Sequence, residues 1–381
     1  MATNTITGLI PTLYEALNVV SREMVGMIPA VSRDSQAERA ALGQVVRSPV
    51  AAVNAAADVT PGNVSPATTG VTIGSVDVTI TKSRQVSFGY NGEQSLGLGA
   101  NRNNIIRDQF VEAMRSLSNE IERDLAIEGY RNASRATGTA GTAPFGTAAN
   151  LSDFANTMRI LEDNGAPKSD LQMALGSAAM ANLRGVQSVL FRVNEAGSSD
   201  MLRDGMTDRV QGFALRNSAG ILPHTAGSGA SYLVNQVGGE AIGETLITVD
   251  TGSGTILAGD CITFAGDANV YAVNTALASN VLSIGAPGMR IAAADNAAIT
   301  VGGTYTPNLA FDRRAIVLAA RAPALPDGGD NADDRTLVTD PVTGLTFEVS
   351  VYRQYRQVRY EVALAWGVKA IKPAHIAILR G

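Results

Sequence analysis

Residues 344–371, GLTFEVSVYRQYRQVRYEVALAWGVKAI, alternate apolar and polar side chains over a longer stretch than an ordinary strand occupies. Val358, Tyr360, Val362, Leu364, Trp366 and Val368 share one parity; Gln357, Arg359 and Glu361, then Ala363, Ala365 and Gly367, share the other. A period of two requires a sheet that buries the first face. Small residues on the second predict that another element approaches closely there. Read as one strand, the segment would run for about 24 residues, about 80 Å, several times the usual length, so a bulge or bend is expected within it. On such a strand Arg353 and Arg359 face one way and Arg356 the other. A single basic stripe for nucleic acid is therefore not expected, and sheet burial is the first explanation of the pattern.

A second strong pattern is helical. Ile106, Phe110, Met114, Leu117, Ile121 and Leu125 recur at intervals of three and four, which predicts a helix from 103 to 131, about 43 Å long at 1.5 Å per residue, with Asn101 or Asn103 as N-cap. Its other face carries Arg107, Glu112, Arg115, Glu122 and Arg123, read either as a solvated face or as partners for neighbouring molecules. Upstream, Leu13, Leu17, Val20 and Met24 fall on one face of a short helix that begins near Pro11, and residues 32–46 read as an arm crossing a surface. Between 45 and 95, Val76, Val78 and Ile80, then Val86, Phe88 and Tyr90, alternate around a turn-rich stretch, TPGNVSPATTG. This predicts a long hairpin, and a lone two-stranded hairpin needs a partner surface.

Beyond residue 150 the pattern is mixed. A helix from 152 ends at Asn164 and Gly165; a strand, DLQMALG, a helix start, SAAMANL, and a strand at 212–221 follow, and NLAFDRRAIVLAARAP (308–323) is expected to resume the same α+β unit. Between 241 and 301, LITVD, CITFAG, VYAVN, VLSIG and AITVG are short strands separated by Gly, Asp and Asn, the pattern of a small inserted β-domain. Glu244, Asp250, Asp260, Asp267 and Asp295 face only Arg290 there, so this segment carries most of the chain's net charge of −5.

That acidic balance argues against a chain built chiefly to bind polyanions. Lysine occurs only at 82, 168, 369 and 372, so arginine dominates the cations. Cys261 is the sole cysteine, which excludes an internal disulfide and a multi-cysteine metal site. The first side chain charged at neutral pH is Glu15, so no basic leader is expected. No apolar run reaches the roughly 18 residues of a membrane span. Catalytic signatures are missing: there is no G-x-S-x-G, no H-E-x-x-H and no P-loop Gly-Lys pair. His224 and His375 read as structural side chains, Cys261 as a buried inert thiol, GLGAN (97–101) as a hinge, and the aspartates of PDGGDNADD (326–334) as a solvated loop rather than a cation site.

Five stretches carry a resemblance: TGLIPTLYEALNVVSREMVGMIPAVSRD (7–34), GSVDVTITKSRQV (74–86), LGSAAMANLRGVQSVLFRVNEAG (175–197), GTILAGDCITFAGDANVYAV (254–273) and LTFEVSVYRQYRQVRYEVALAWGVKAIKPAHIAIL (345–379). Through them nearly the whole chain resembles the major capsid proteins of tailed double-stranded DNA phages, and most closely the short-tailed-phage coat family with an inserted β-domain. The resemblance implies an α+β capsid fold: N-terminal arm (1–45), extended hairpin loop (46–97), peripheral domain with spine helix (98–149), axial domain (150–228 and 305–341), inserted β-barrel-like domain (229–304), and peripheral strands with the C-terminus (342–381). It implies a structural protein, not an enzyme, without cofactor or metal, that forms pentamers and hexamers of itself. The implied partners are a scaffolding protein, a portal protein, non-specifically packaged double-stranded DNA and, as a further option, a decoration protein, with no membrane. Assembly would take place in the bacterial host cytoplasm and end in the virion capsid.

The insertion is shorter than in the best-known members, so their inter-capsomer acid-base contacts are not carried over; its expected role is chiefly to support folding of the monomer. Candidate inter-subunit contacts are Arg84, Glu112, Arg115, Glu122, Arg123, Asp267, Arg353, Arg359 and Glu361. Two alternatives remain open: a nanocompartment shell around protein cargo, and a nucleic-acid-binding protein that uses Arg353, Arg356, Arg359, Lys369, Lys372 and Arg380.

Overall fold

The computed structural model describes residues 26–34, 38–50, 74–187, 209–340 and 343–381. The expected N-terminal helix and the tip of the 45–95 hairpin lie outside these residues. In chain order the elements are β1 (Ser32–Asp34), β2 (Val45–Val50), β3 (Gly74–Thr79), β4 (Lys82–Asn91), α1 (Gly92–Gly97), α2 (Arg102–Arg131), β5 (Arg135–Thr137), α3 (Ser152–Asp163), β6 (Leu171–Leu175), α4 (Ser177–Gly185), β7 (Arg209–Val210) and β8 (Phe213–Asn217). There follow β9 (Tyr232–Val234), β10 (Leu246–Asp250), β11 (Cys261–Phe264), β12 (Val270–Ala278), β13 (Val281–Ile284), β14 (Ala298–Val301), β15 (Pro307–Asp312), β16 (Ile316–Arg321), β17 (Asp334–Thr339), β18 (Thr346–Gln354), β19 (Gln357–Ala370) and β20 (Ile376–Arg380). The fold is α+β.

The long C-terminal pattern is not one strand. It folds back on itself at Tyr355 and Arg356 into the antiparallel pair β18–β19, with Gln354 opposite Gln357 and Glu348 opposite Ala363. Arg356 takes the left-handed conformation, φ 58°. A two-residue hairpin turn ordinarily announces itself with Asn-Gly or Asp-Gly. Tyr-Arg carries no such signal, so alternation ran on through the turn in the sequence. The turn also reverses the parity argument. Arg353 pairs with Val358 and Tyr352 with Arg359, so Arg353 and Arg359 point to opposite faces of the sheet.

Strand β19 is the centre of a six-stranded sheet: β4 runs along one edge, while β18 and β16 share the other, extended by β17 and by the short parallel β1. Strand β4, expected within the long hairpin, thus belongs to the sheet; the two-stranded ribbon is β2–β3 alone, with Val45 opposite Thr79 and Val50 opposite Gly74. The ribbon's base crosses the back of β19 where the small residues lie. A side chain at Gly367 would place its Cβ 2.0 Å from the Thr79 carbonyl oxygen. Ala40, Val78, Ile80, Val317, Ala319 and Ala365 form a small core there.

The 308–323 segment likewise divides between sheets instead of resuming one unit. β15 pairs with β6 and β20, whereas β16 pairs with β19. Asp312 marks the break, accepting from the Arg314 amide at 3.0 Å to start the intervening turn. Strands β5, β20, β15, β6, β8 and β7 form a second sheet, packed against α3 and α4 around Phe145, Phe154, Met173 and Phe213. Strands β9–β14 close on themselves through the β11–β12 pairing, making a six-stranded antiparallel barrel without free edges, filled by Val234, Ile247, Ile262, Tyr271 and Leu282. The barrel stays hydrogen-bonded to the second sheet, with Val270 opposite Ala136 and Tyr271 opposite Arg135.

Helix α2 joins these parts. Its first half packs on the six-stranded sheet, where Phe110, Phe88 and Tyr360 make mutual ring contacts at 4.9–5.6 Å. Its second half reaches the other sheet: a Cβ at Gly129 would lie 2.6 Å from Leu309 Cδ1. Asn101 occupies the N-cap position but makes no side-chain capping bond; the polypeptide enters through a single 3₁₀ turn, Gly99–Asn101, the expected hinge.

Candidate functional site

The tip of the β18–β19 hairpin, α1 and the start of α2 enclose an open cleft of about 410 Å³. Its floor includes Tyr90, Val358 and Tyr360; Arg102, Arg353 and Arg356 stand around it. Only the folded-back hairpin brings these arginines together, since the turn delivers Arg356 to the same side as Arg353. Asn91 shapes the adjoining wall with a capping box: its side chain accepts from Gln94 N at 2.7 Å and Gln94 Oε1 accepts from Asn91 N at 3.0 Å. Arg353 is bound to Asp333 at 2.9 Å. Tyr355, at the very tip, is 90% exposed.

Beside the tip lies the 326–334 loop, whose aspartates serve as partners for arginine and tyrosine. Asp330 accepts from Tyr352 Oη at 2.8 Å, from Ala332 N at 3.1 Å and from Arg335. Burial alone would raise the Asp330 carboxyl; the hydrogen bonds outweigh it and hold the group below the ordinary carboxylate value. Behind this loop Glu348, nearly buried, takes Arg39 on one oxygen and Arg335 on the other, the second at 3.3 Å. Glu361 neighbours it on the same face with Arg359 at 3.4 Å, and burial raises the Glu361 carboxyl. Arg359 and Glu361 are thus placed together, on the face opposite Arg353.

The helix residues divide. Glu112 pairs with Arg115 one turn away on an open face, and Arg84 reaches Glu120 at 3.5 Å from β4. Lys82, beside Arg84, bridges Glu120 and Asp124, each at 2.9 Å, while Trp366 Nε1 donates to Asp124 at 2.9 Å. Burial opposes the Lys82 charge, but these two carboxylates prevail and raise its pKa. Arg123 is exposed.

Glu122 is not a surface residue. It is 1% exposed, and its carboxylate accepts from Ile28 N at 2.7 Å, Met27 N at 2.8 Å, Gly26 N at 3.2 Å and Ser218 Oγ at 2.5 Å. The segment after β8 passes directly over it, so close that a Cβ at Gly220 would lie 2.8 Å from the Glu122 backbone. The helix is therefore covered on two sides, and the apolar repeat reported only one. Asp267 is also engaged within its own turn, accepting from Asn269 N and Nδ2 at 2.8 and 2.7 Å and from Tyr271 Oη at 2.6 Å. Burial, reinforced by Asp267, pushes the Tyr271 phenol up to about 12. Asn269 in turn accepts from Arg135 at 2.8 Å, a side chain that also holds Asp163 at 2.9 Å, so this turn braces the barrel against the second sheet.

His224 and Asp260, 2.8 Å apart, sit beside Cys261 and Tyr305 in the same joint. Such a set suggests nucleophilic chemistry until burial is considered. Asp260 is wholly buried and also accepts from Leu257 N at 2.7 Å, while burial pushes the Cys261 thiol up to about 11. The thiol is protonated and enclosed, and the cluster works as a structural clasp. Among the described residues, no group of three or more His, Cys, Asp or Glu is arranged to hold a metal ion, and no helix is long and apolar enough to cross a membrane.

No family model and no curated protein matches the chain. Solved structures do match. The capsid of cyanophage P-SCSP1u is 11% identical with a TM-score of 0.48, over 92% of this chain and 86% of that one. The mature capsid of bacteriophage PhiM1 is 10% identical with a TM-score of 0.48, over 93% and 86%. A virus-like particle from Pyrococcus furiosus is 10% identical with a TM-score of 0.41, over 97% and 98%. Along most of its length this α+β chain is similar to phage capsid proteins.

Proposed function

We propose that this chain is a major capsid protein, a structural subunit that assembles as pentamers and hexamers into an icosahedral shell around a double-stranded DNA genome. One observation carries the reading: a two-stranded ribbon, a 30-residue helix laid across two sheets, a closed barrel and returning C-terminal strands succeed one another in the order the sequence resemblance implies. The ribbon β2–β3 stands outside both sheets, as a loop would that finds its third partner on a neighbouring subunit. On this reading residues 1–45 form the arm, 46–97 the extended loop, 98–149 and 342–381 the peripheral domain, 150–228 and 305–341 the axial domain, and 229–304 the inserted barrel. The charged sets around Arg84, Glu112, Arg115, Arg123, Arg353, Arg359 and Glu361 are proposed to meet neighbouring subunits.

The barrel is proposed to support folding of the monomer, since its Asp260 and Asn269 contacts tie it to the rest of the chain. Scaffolding and portal proteins are the partners such a shell requires, and non-enzymatic action in the virion follows. The test is expression with and without the neighbouring genes, followed by electron microscopy and analysis of nuclease-protected contents. Closed, uniform shells that protect double-stranded DNA are expected. Shells holding protein cargo instead would favour a nanocompartment, and a chain that stays monomeric under every condition would refute the proposal.

A further inference from the structure

Strand β5 is the splice between the barrel and the second sheet: Arg135 stands opposite Tyr271 of β12 on one side and opposite Ala377 of β20 on the other. Beside it lies a cavity of about 180 Å³ between β5, α3, the 268–270 segment of the barrel and the end of β20. Arg135, Arg159 and Arg380 line it, one from each of β5, α3 and β20, and no carboxylate does. Arg135 is 4% exposed, and its terminal nitrogens are bound to Asn269, to the Ile160 carbonyl and to Asp163, which balances one charge. Arg159 and Arg380 have no carboxylate partner among the described residues; Arg380 donates to the Gly138 carbonyl at 2.6 Å. The Nε–H groups of Arg135 and Arg380 are buried without an acceptor. Such donors are rare, because each has given up its hydration for nothing in return. Two uncompensated charges and two idle donors around one cavity call for an acceptor that is negatively charged.

We propose that this cavity is a binding site for a tetrahedral oxyanion of the phosphate class. Guanidinium groups present planar forks of N–H donors that match such oxygens, and several can share one anion. The bound anion bridges β5, α3 and β20, and so clamps the barrel to the second sheet at the joint that Arg135 and Asn269 brace. The backbone prepares the site. Gly138, φ 81°, lets the end of β20 pass where a Cβ would lie 2.7 Å from the Arg380 carbonyl oxygen, and its own carbonyl fixes the Arg380 guanidinium. A second cavity of about 320 Å³ adjoins through the same two residues, lined among others by Thr139, Thr142, Thr147 and Asn150. Asp153 lines it too, accepting from Phe145 N at 2.7 Å, so the negative charge of a ligand belongs on the arginine side and a hydroxylated ester substituent on the other. Free phosphate and a phosphate monoester share this chemistry. The site lies within one chain and does not depend on the shell reading.

Isothermal titration calorimetry of the full chain tests the site, with inorganic phosphate and adenosine monophosphate as ligands and chloride at matched ionic strength as the blank. One phosphate group bound per chain is expected. Arg159→Gln is expected to weaken binding by about tenfold or more, as loss of a charge-assisted hydrogen bond does. Arg159 is exposed, so this variant should melt in chloride as the wild type does. Arg380→Gln, which also loses the Gly138 contact, should weaken binding likewise, and Arg102→Gln, at the opposite end of α2, should leave it unchanged. Phosphate stabilises many proteins by exclusion from their surface, so a raised melting temperature counts only where Arg159→Gln removes it. Tighter binding of adenosine monophosphate than of phosphate, with the same dependence on Arg159, assigns the site to a monoester, and the reverse order assigns it to the free ion. No heat above the chloride blank, or binding that Arg159→Gln leaves intact, overturns the proposal, whatever the chain is found to assemble into.

Discussion

Replacing Glu122 by alanine removes the acceptor that holds the chain at Gly26–Ile28 and at Ser218 against helix α2. Ser218 Oγ can turn to another acceptor, and the Gly26 contact is long at 3.2 Å. Met27 and Ile28, both 0% exposed, have amides with no such freedom. Two buried donors left without partners cost about 1–3 kcal/mol each, partly offset because a carboxylate is no longer desolvated, so a net loss of about 2–4 kcal/mol is expected. Glu122→Gln keeps one acceptor oxygen and is expected to cost about half as much. Trp366, the only tryptophan and fully buried on the same sheet assembly, reports unfolding in urea, while limited proteolysis reports release of the N-terminal segment. Burial pushes the Glu122 carboxyl above the ordinary range, against the pull of Ser218 and the three amides. The folded state then holds that proton more tightly than the unfolded chain does. This contribution to stability is complete below the unfolded carboxylate value of about 4.3 and declines as pH rises through the folded value. Glu122→Gln should remove that decline. An alanine variant within about 0.5 kcal/mol of the wild type, with its N-terminal segment still protected, would refute the account.

Gly367→Ala forces a methyl group against the Thr79 carbonyl and should cost about 1–3 kcal/mol, read as a lowered melting temperature, or else displace the ribbon, read as faster hydrogen exchange at Val78 and Ile80. Cys261 should react with a disulfide reagent at pH 8 only as fast as the chain unfolds, because its thiol sits near 11 and is enclosed; rapid labelling of the folded protein would contradict this. For Asp330, whose folded value is depressed, the contribution to stability is present above the unfolded carboxylate value of about 3.9 and lost as pH falls through the folded one. Asp330→Asn should therefore flatten the acid limb of the stability profile below about pH 4; an unchanged slope would count against the Tyr352–Asp330–Arg335 set.

What the sequence determined by itself was local and periodic. The 3–4 spacing from Ile106 to Leu125 specified helix α2, and the period of two specified β4, β18 and β19 as strands, because burial on one face acts through neighbours in the chain. The short strands between Gly and Asn turns specified five of the barrel's six strands, β9 (Tyr232–Val234) lying outside that pattern, and Ala363, Ala365 and Gly367 foretold that a second element would press on β19. Tertiary structure decided the rest. The Tyr355–Arg356 turn carries no special residue, and only pairing with β4 and β17 makes folding back better than running on, so Arg353 and Arg359 parted and Arg102, Arg353 and Arg356 met. Glu122 reads as a surface charge because glutamate usually is one; it is buried because Gly26–Ile28 and Ser218–Gly220, distant in sequence, bring polar hydrogens over it. Whether a charged side chain is a contact for other molecules or a clasp within its own depends on what covers it, and that cover comes from chain segments which no local pattern identifies.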